Sequence, residues 1–112
     1  MPQRDLADLK FSLATSYALE GNPKQLETAQ GIFHESLEIA PVENRGYIWN
    51  NLGMVHFYQF IAKSSEITDP QGAGLDAIKP IVENFDAAVL ALKKSVRAFE
   101  EYDTRFASLD AA

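Results

Sequence analysis

Apolar residues recur along this chain at spacings of three and four in four separate runs, and each run predicts a helix. Leu6, Leu9, Leu13 and Tyr17 form the first stripe, which ends near Gly21. Asn22 then offers an N-cap, Pro23 fits the first helical position where a backbone N–H lacks a partner anyway, and Gln25 can reach back as in a capping box. A second helix starts there, with Leu26, Ala29, Phe33, Leu37 and Ala40 as its stripe. It should stop before Pro41, because proline disfavours helical geometry in the residue preceding it.

Residues Val42 to Arg45 read as a connector, after which Ile48, Trp49, Leu52, Val55, Phe60 and Ile61 carry a third, strongly aromatic helix to about Lys63 or Glu66. The run from Thr68 to Gly74 combines a proline, two glycines and small polar residues, the composition of an irregular loop. Helix resumes around Pro80, and Val82, Phe85, Ala88, Val89, Leu92, Val96 and Phe99 form a last long stripe reaching roughly Tyr102. The tail, Thr104 to Ala112, is either one more turn or frayed. Four helices and no strand pattern make the fold class all-α, and at this level a plain four-helix bundle fits as well as stacked hairpins.

With 112 residues the chain supports one small domain, 1–112, and 46% hydrophobic against 23% charged residues is the balance of a folded globular protein. A net charge of −6 opposes phosphate backbones, so no nucleic acid is expected as partner. No cysteine is present, which removes disulfides, thiolate chemistry and thiolate zinc sites. The amino terminus lacks an apolar signal region, and no stretch is long enough to enter a membrane. The expected location is therefore the cytoplasm or an organelle matrix, not the secreted space.

One ordered set of residues appears twice: Leu13, Ala14, Tyr17, Ala29, Phe33 and Pro41, then Trp49, Leu52, Gly53, Ala88 and Leu92. In this the chain resembles the tetratricopeptide repeat family, in which small residues let paired helices approach closely and large ones fill the space between. Repeat one covers about 7–41. Repeat two covers about 46–100 and holds an inserted segment at about 63–80. Lys10 stands where the family places a large apolar residue, and His56 where it usually has tyrosine. Gly53 and Ala88 are 35 positions apart, whereas Ala14 and Ala29 are 15 apart, so the second hairpin must be lengthened or carry a loop at its tip.

The resemblance implies a right-handed stack of two antiparallel helical hairpins with an inner face open to another polypeptide. Positions projecting there are Phe11, Ser12, Thr15 and Leu19 in the first helix and Tyr47, Asn50, Asn51, Met54, Phe57 and Tyr58 in the third. Aromatics and methionine offer contact area, and the asparagines can bond a peptide backbone as donor and acceptor. The rival reading packs Met54, Phe57 and Tyr58 under the insertion or the tail. Asn51 matches one place of the clamp with which some family members grip acidic tails, but Phe11 and Thr15 replace its lysine and asparagine, so an apolar or helical ligand is favoured. The expected role is a protein-interaction module, an adaptor, scaffold or assembly factor, and the alternative is a homodimer formed through the aromatic third helix.

Two hairpins leave a flank bare, since each repeat covers its neighbour's apolar face. Candidates to cover it are the tail from Tyr102 to Leu109, a second copy, or a further part of a longer protein. No residues point to catalysis, a metal or a cofactor. His34-Glu35 opens a zinc-protease-like string, but Glu38 stands where the second histidine belongs. His56 reads as a packed histidine, Gly72 and Gly74 as loop glycines without a phosphate-binding context, and Glu100, Glu101 and Asp103 as a solvated helix end.

Overall fold

The computed structural model describes residues 2–111, with side chains described for 2–103. Helix α1 spans Gln3–Glu20, α2 Pro23–Ile39, α3 Val42–Ser65 and α4 Leu75–Ala111. No strand occurs among the described residues. Helix α1 pairs antiparallel with α2, and α3 with α4; α2 and α3 form the seam between the two pairs, with a lighter contact between α1 and α3.

Local signals set the first hairpin. Gly21 takes φ 76°, the left-handed conformation that ends a helix cheaply only when no Cβ is present, and its N–H returns to Ala18 O. Asn22 accepts a 2.9 Å hydrogen bond from the Gln25 N–H, and Pro23 begins α2 as expected. The α2 helix stops at Ile39, leaving Ala40 extended before Pro41.

Two boundaries differ from expectation. Val42 to Arg45 is the first turn of α3, not a connector. Pro41 serves as its N-cap residue in an extended conformation, and Arg45 Nη1 donates to Leu37 O at 2.6 Å, placing a cation on the carbonyl end of α2. Helix α4 begins at Leu75, so Pro80 lies inside it. Gly74 O starts that helix by accepting from the Ala77 and Ile78 N–H groups, and a proline so near the N-terminus removes one hydrogen bond without ending the helix. The extra residues of the second half therefore lengthen both helices, and only residues 66–74 form a loop. Backbone helix continues through the tail to Ala111, but the side chains from Thr104 to Leu109, on which covering of the flank depends, lie outside those described.

The core runs along α2 and the facing side of α3, with Leu26, Phe33, Leu37, Ile48, Leu52 and Val55 buried. Helix α1 meets it through Ala7, Phe11 and Ala14, while the leucines of its stripe, Leu6, Leu9 and Leu13, share a face turned to solvent. The two hairpins are built alike. Ser36 Oγ donates to Ala7 O at 3.0 Å in the first, and Ser95 Oγ to Gly46 O at 2.7 Å in the second. Ala14 and Ala29 bring α1 and α2 together, as Gly53 and Ala88 do for α3 and α4, and all four are buried. A Cβ on Gly53 would stand 2.8 Å from Leu92 Cδ2, so this crossing has no room for a side chain.

Candidate functional site

Helices α1 and α3 run side by side in the same direction, tied by side chains 36 positions apart. Asn44 Nδ2 donates to Asp8 Oδ1 at 3.0 Å, and two turns later Asn51 Nδ2 donates to Thr15 Oγ1 at 3.2 Å. Thr15 in turn donates to Phe11 O at 2.8 Å, the within-helix bond that threonine commonly makes. Arg4 and Glu43 add an ion pair at 3.5 Å between exposed ends, which contributes little.

Two separate depressions lie along this line, one toward each end. One, about 170 Å³, is lined by Ala7, Asp8, Phe11, Asn44, Tyr47 and Ile48. Around the other, about 350 Å³, lie Ala18, Leu19, Gly21, Tyr58, Ile61 and Ala62. The Thr15–Asn51 bridge lies between them. Phe11 is held by an edge-to-face contact with buried Phe33, ring centres 5.8 Å apart, and Tyr47 by one with Phe99 at 4.9 Å. Both rings are thus fixed before any ligand arrives.

Of the residues expected on the inner face, Phe11, Thr15, Tyr47, Asn51, Tyr58 and Leu19 come together along this line. Ser12 is exposed on α1 but lines neither depression. Asn50, Met54 and Phe57 are exposed on α3 and line neither depression; Phe57 stacks on Phe60 at 5.9 Å and Phe60 meets Phe85 of α4 at 5.5 Å. Asn51 is already engaged by Thr15, with Asn50 Nδ2 at 3.4 Å from Asn51 Oδ1, so its amide serves first as a strut between helices.

Sequence reasoning did not anticipate a second concavity. Helix α4 leans on α3 and leaves α2, opening a polar cleft of about 730 Å³ near the hairpin tips, with Gln30, His34, His56, Gln59, Glu83 and Asn84 among its lining. Gln59 spans it: Nε2 donates to Gln30 Oε1 at 3.1 Å, while Oε1 accepts from Asn84 Nδ2 at 3.1 Å and lies 3.2 Å from His56 Nδ1. Lys63 Nζ completes the chain on Asn84 Oδ1 at 2.7 Å. These amides are scattered over three helices, and nothing in their spacing announces that they meet.

His56 has its pKa lowered, first by burial, which penalises the imidazolium, and further by the nearby His34; the Gln59 hydrogen bond opposes both. His56 Nδ1 faces Gln59 Oε1, and the same cleft is lined by His34 and by the carboxylates of Glu27, Glu66 and Glu83. Among the described residues no group of three or more metal-ligating side chains is assembled, and no helix is long and apolar enough to cross a membrane. Compared with known proteins, the chain matches no family model, no curated protein and no solved structure.

Proposed function

We propose that this chain is a protein-interaction module, a right-handed stack of two tetratricopeptide-like hairpins that binds a peptide or helix of another protein along the groove between α1 and α3. The role is that of an adaptor, scaffold or assembly factor, without catalysis. The observation that carries this reading is the pair of apolar depressions along α1 and α3, one bordered by Phe11 and Tyr47, each in edge-to-face contact with a further ring, the other by Leu19, Tyr58 and Ile61, with the Thr15–Asn51 bridge between them. Side chains ordered in advance lose little entropy on binding, which favours recognition at modest contact area.

The spacing specifies the ligand. Phe11 to Leu19 and Tyr47 to Tyr58 are eight and eleven residues along their helices, about 12 to 16 Å at 1.5 Å per residue. Two apolar side chains two to three turns apart on a helix would reach both ends, as would two placed four or five residues apart on an extended peptide. Between them the ligand would cross Thr15 and Asn51 with a polar or small residue.

The test is selection from a displayed peptide library, followed by affinity measurement on the wild type and on Phe11→Ala and Tyr58→Ala. The expected result is a set of peptides with two apolar anchors at that spacing, each weakened by about 1 to 2 kcal/mol in both variants. Selected peptides indifferent to both substitutions would remove the groove from the account.

A further inference from the structure

The two hairpins are alike, but their outer faces meet different fates. Residues of α2 correspond to residues of α4 lying 59 positions later, as Ser36 to Ser95 and Ala29 to Ala88 demonstrate. Leu26, Phe33 and Leu37 are 0%, 0% and 6% exposed because α3 lies over them, whereas their counterparts Phe85, Leu92 and Val96 are 45%, 39% and 57% exposed. With Val89 and Val82 beside them, and Met54 and Phe57 on α3, they form an apolar face two helices wide. The total accessible surface of 7447 Å² is about 1,300 Å² more than a folded chain of 12.4 kDa ordinarily shows. An open molecule of this kind has surface to spare for a standard interface, which takes about 800 Å² from each partner.

The charges beside it select the occupant. Apolar residues of α4 at 75, 78, 82, 85, 89, 92, 96 and 99 alternate steps of three and four, the seam of a helix that packs along another helix. On the far rim of that seam stand Asp86 and Lys93, both exposed and seven residues apart. A second copy turned end for end, its α4 antiparallel and crossing between Val89 and Leu92, sets Asp86 against the partner's Lys93, and symmetry makes the pair twice. A parallel arrangement would set that rim against the opposite one, where Ile81, Ala88 and Ser95 offer no charge to pair with. Head-to-tail stacking that copied the α2–α3 seam is disfavoured too: the counterparts of Trp49 and His34, whose rings meet at 6.4 Å within the chain, are Lys10 and Lys93. In it Lys93 would gain no partner from Lys10, whose ammonium is already bonded to Glu35 at 2.8 Å, and the ring contact of the internal seam would be lost.

We infer that the outer face of α3 and α4 is a self-complementary docking surface on which a second copy of this chain sits, its α4 antiparallel, as a closed two-fold dimer. This does not depend on the α1–α3 groove, which stays open on each copy. It moves Met54 and Phe57 from the peptide groove to the dimer face.

Light scattering of the full chain across concentrations, with the helical content followed by circular dichroism, tests it. The expected mass at micromolar concentration is twice 12.4 kDa. Val89→Glu should give a monomer of unchanged helicity, since the residue faces solvent within one copy. Asp86→Lys should raise the dissociation constant about tenfold, and adding Lys93→Asp to it should restore the original value, because each rim pair is then reversed and intact. A monomer at every concentration, a polymer that keeps growing, or a dimer indifferent to Val89→Glu would each overturn the inference.

Discussion

Glycines at 31 and 46 both lie within helices but in opposite surroundings, and they give a sharp pair of predictions. Nothing stands within 4 Å of a Cβ placed on Gly31, so Gly31→Ala should stabilise the protein by about 0.5 to 1 kcal/mol through lost unfolded-chain freedom. At Gly46 the Phe99 ring is 2.7 Å from that position, so Gly46→Ala should destabilise by about 1 to 3 kcal/mol. Urea midpoints of the two variants check both signs. His56 supplies a pH test. Its lowered pKa means the unfolded chain binds a proton that the folded chain refuses, so its contribution is present above the ordinary value of 6.5 and lost as pH falls below it. Denaturation midpoints should therefore decline on the acid side more steeply for the wild type than for His56→Gln. At this scale the sequence is legible where chemistry is local, as at Asn22, and silent where partners come from afar. Asn51 looks like a ligand-binding amide until Thr15 is seen beside it.

Elements were readable wherever a cap or breaker marks them. Gly21, Asn22 and Pro23 define the first turn between helices, and Asn22→Ala should cost about 1 kcal/mol, measured as a lower thermal midpoint, because Gln25 N–H loses its acceptor. The starts of α3 and α4 were not readable. Helix at Val42 depends on Pro41 adopting an N-cap conformation and on Arg45 reaching Leu37 O, and helix at Leu75 depends on Gly74 accepting two N–H groups despite Pro80 downstream. Periodicity also placed Leu6, Leu9 and Leu13 on one face of α1 without revealing that the core takes Ala7, Phe11 and Ala14 instead. A stripe of small residues is the better guide to close helix packing, since the closest approach occurs where side chains are shortest.

The whole molecule is an open slab, 61 × 30 × 17 Å, whose radius of gyration of 16.7 Å exceeds the about 13 Å of a compact chain this long. That shape follows from the 37-residue α4, about 55 Å long, and from two hairpins set side by side, which covers one face of each and leaves the others bare. The pairing of helices was legible because Ala29, Ala88 and Gly53 recur at matching places, whereas the polar cleft spanned by Gln59 was not, since three helices must meet before it exists. Everything proposed for the groove requires α1 to lie along α3. Nuclear Overhauser spectroscopy of the labelled chain measures that contact directly. Cross-peaks are expected from the Asn51 side-chain amide to Thr15 and from the Asn44 amide to Asp8, alongside those joining Phe11 to Phe33 and Tyr47 to Phe99. Cross-peaks within each hairpin but none between α1 and α3 would contradict it.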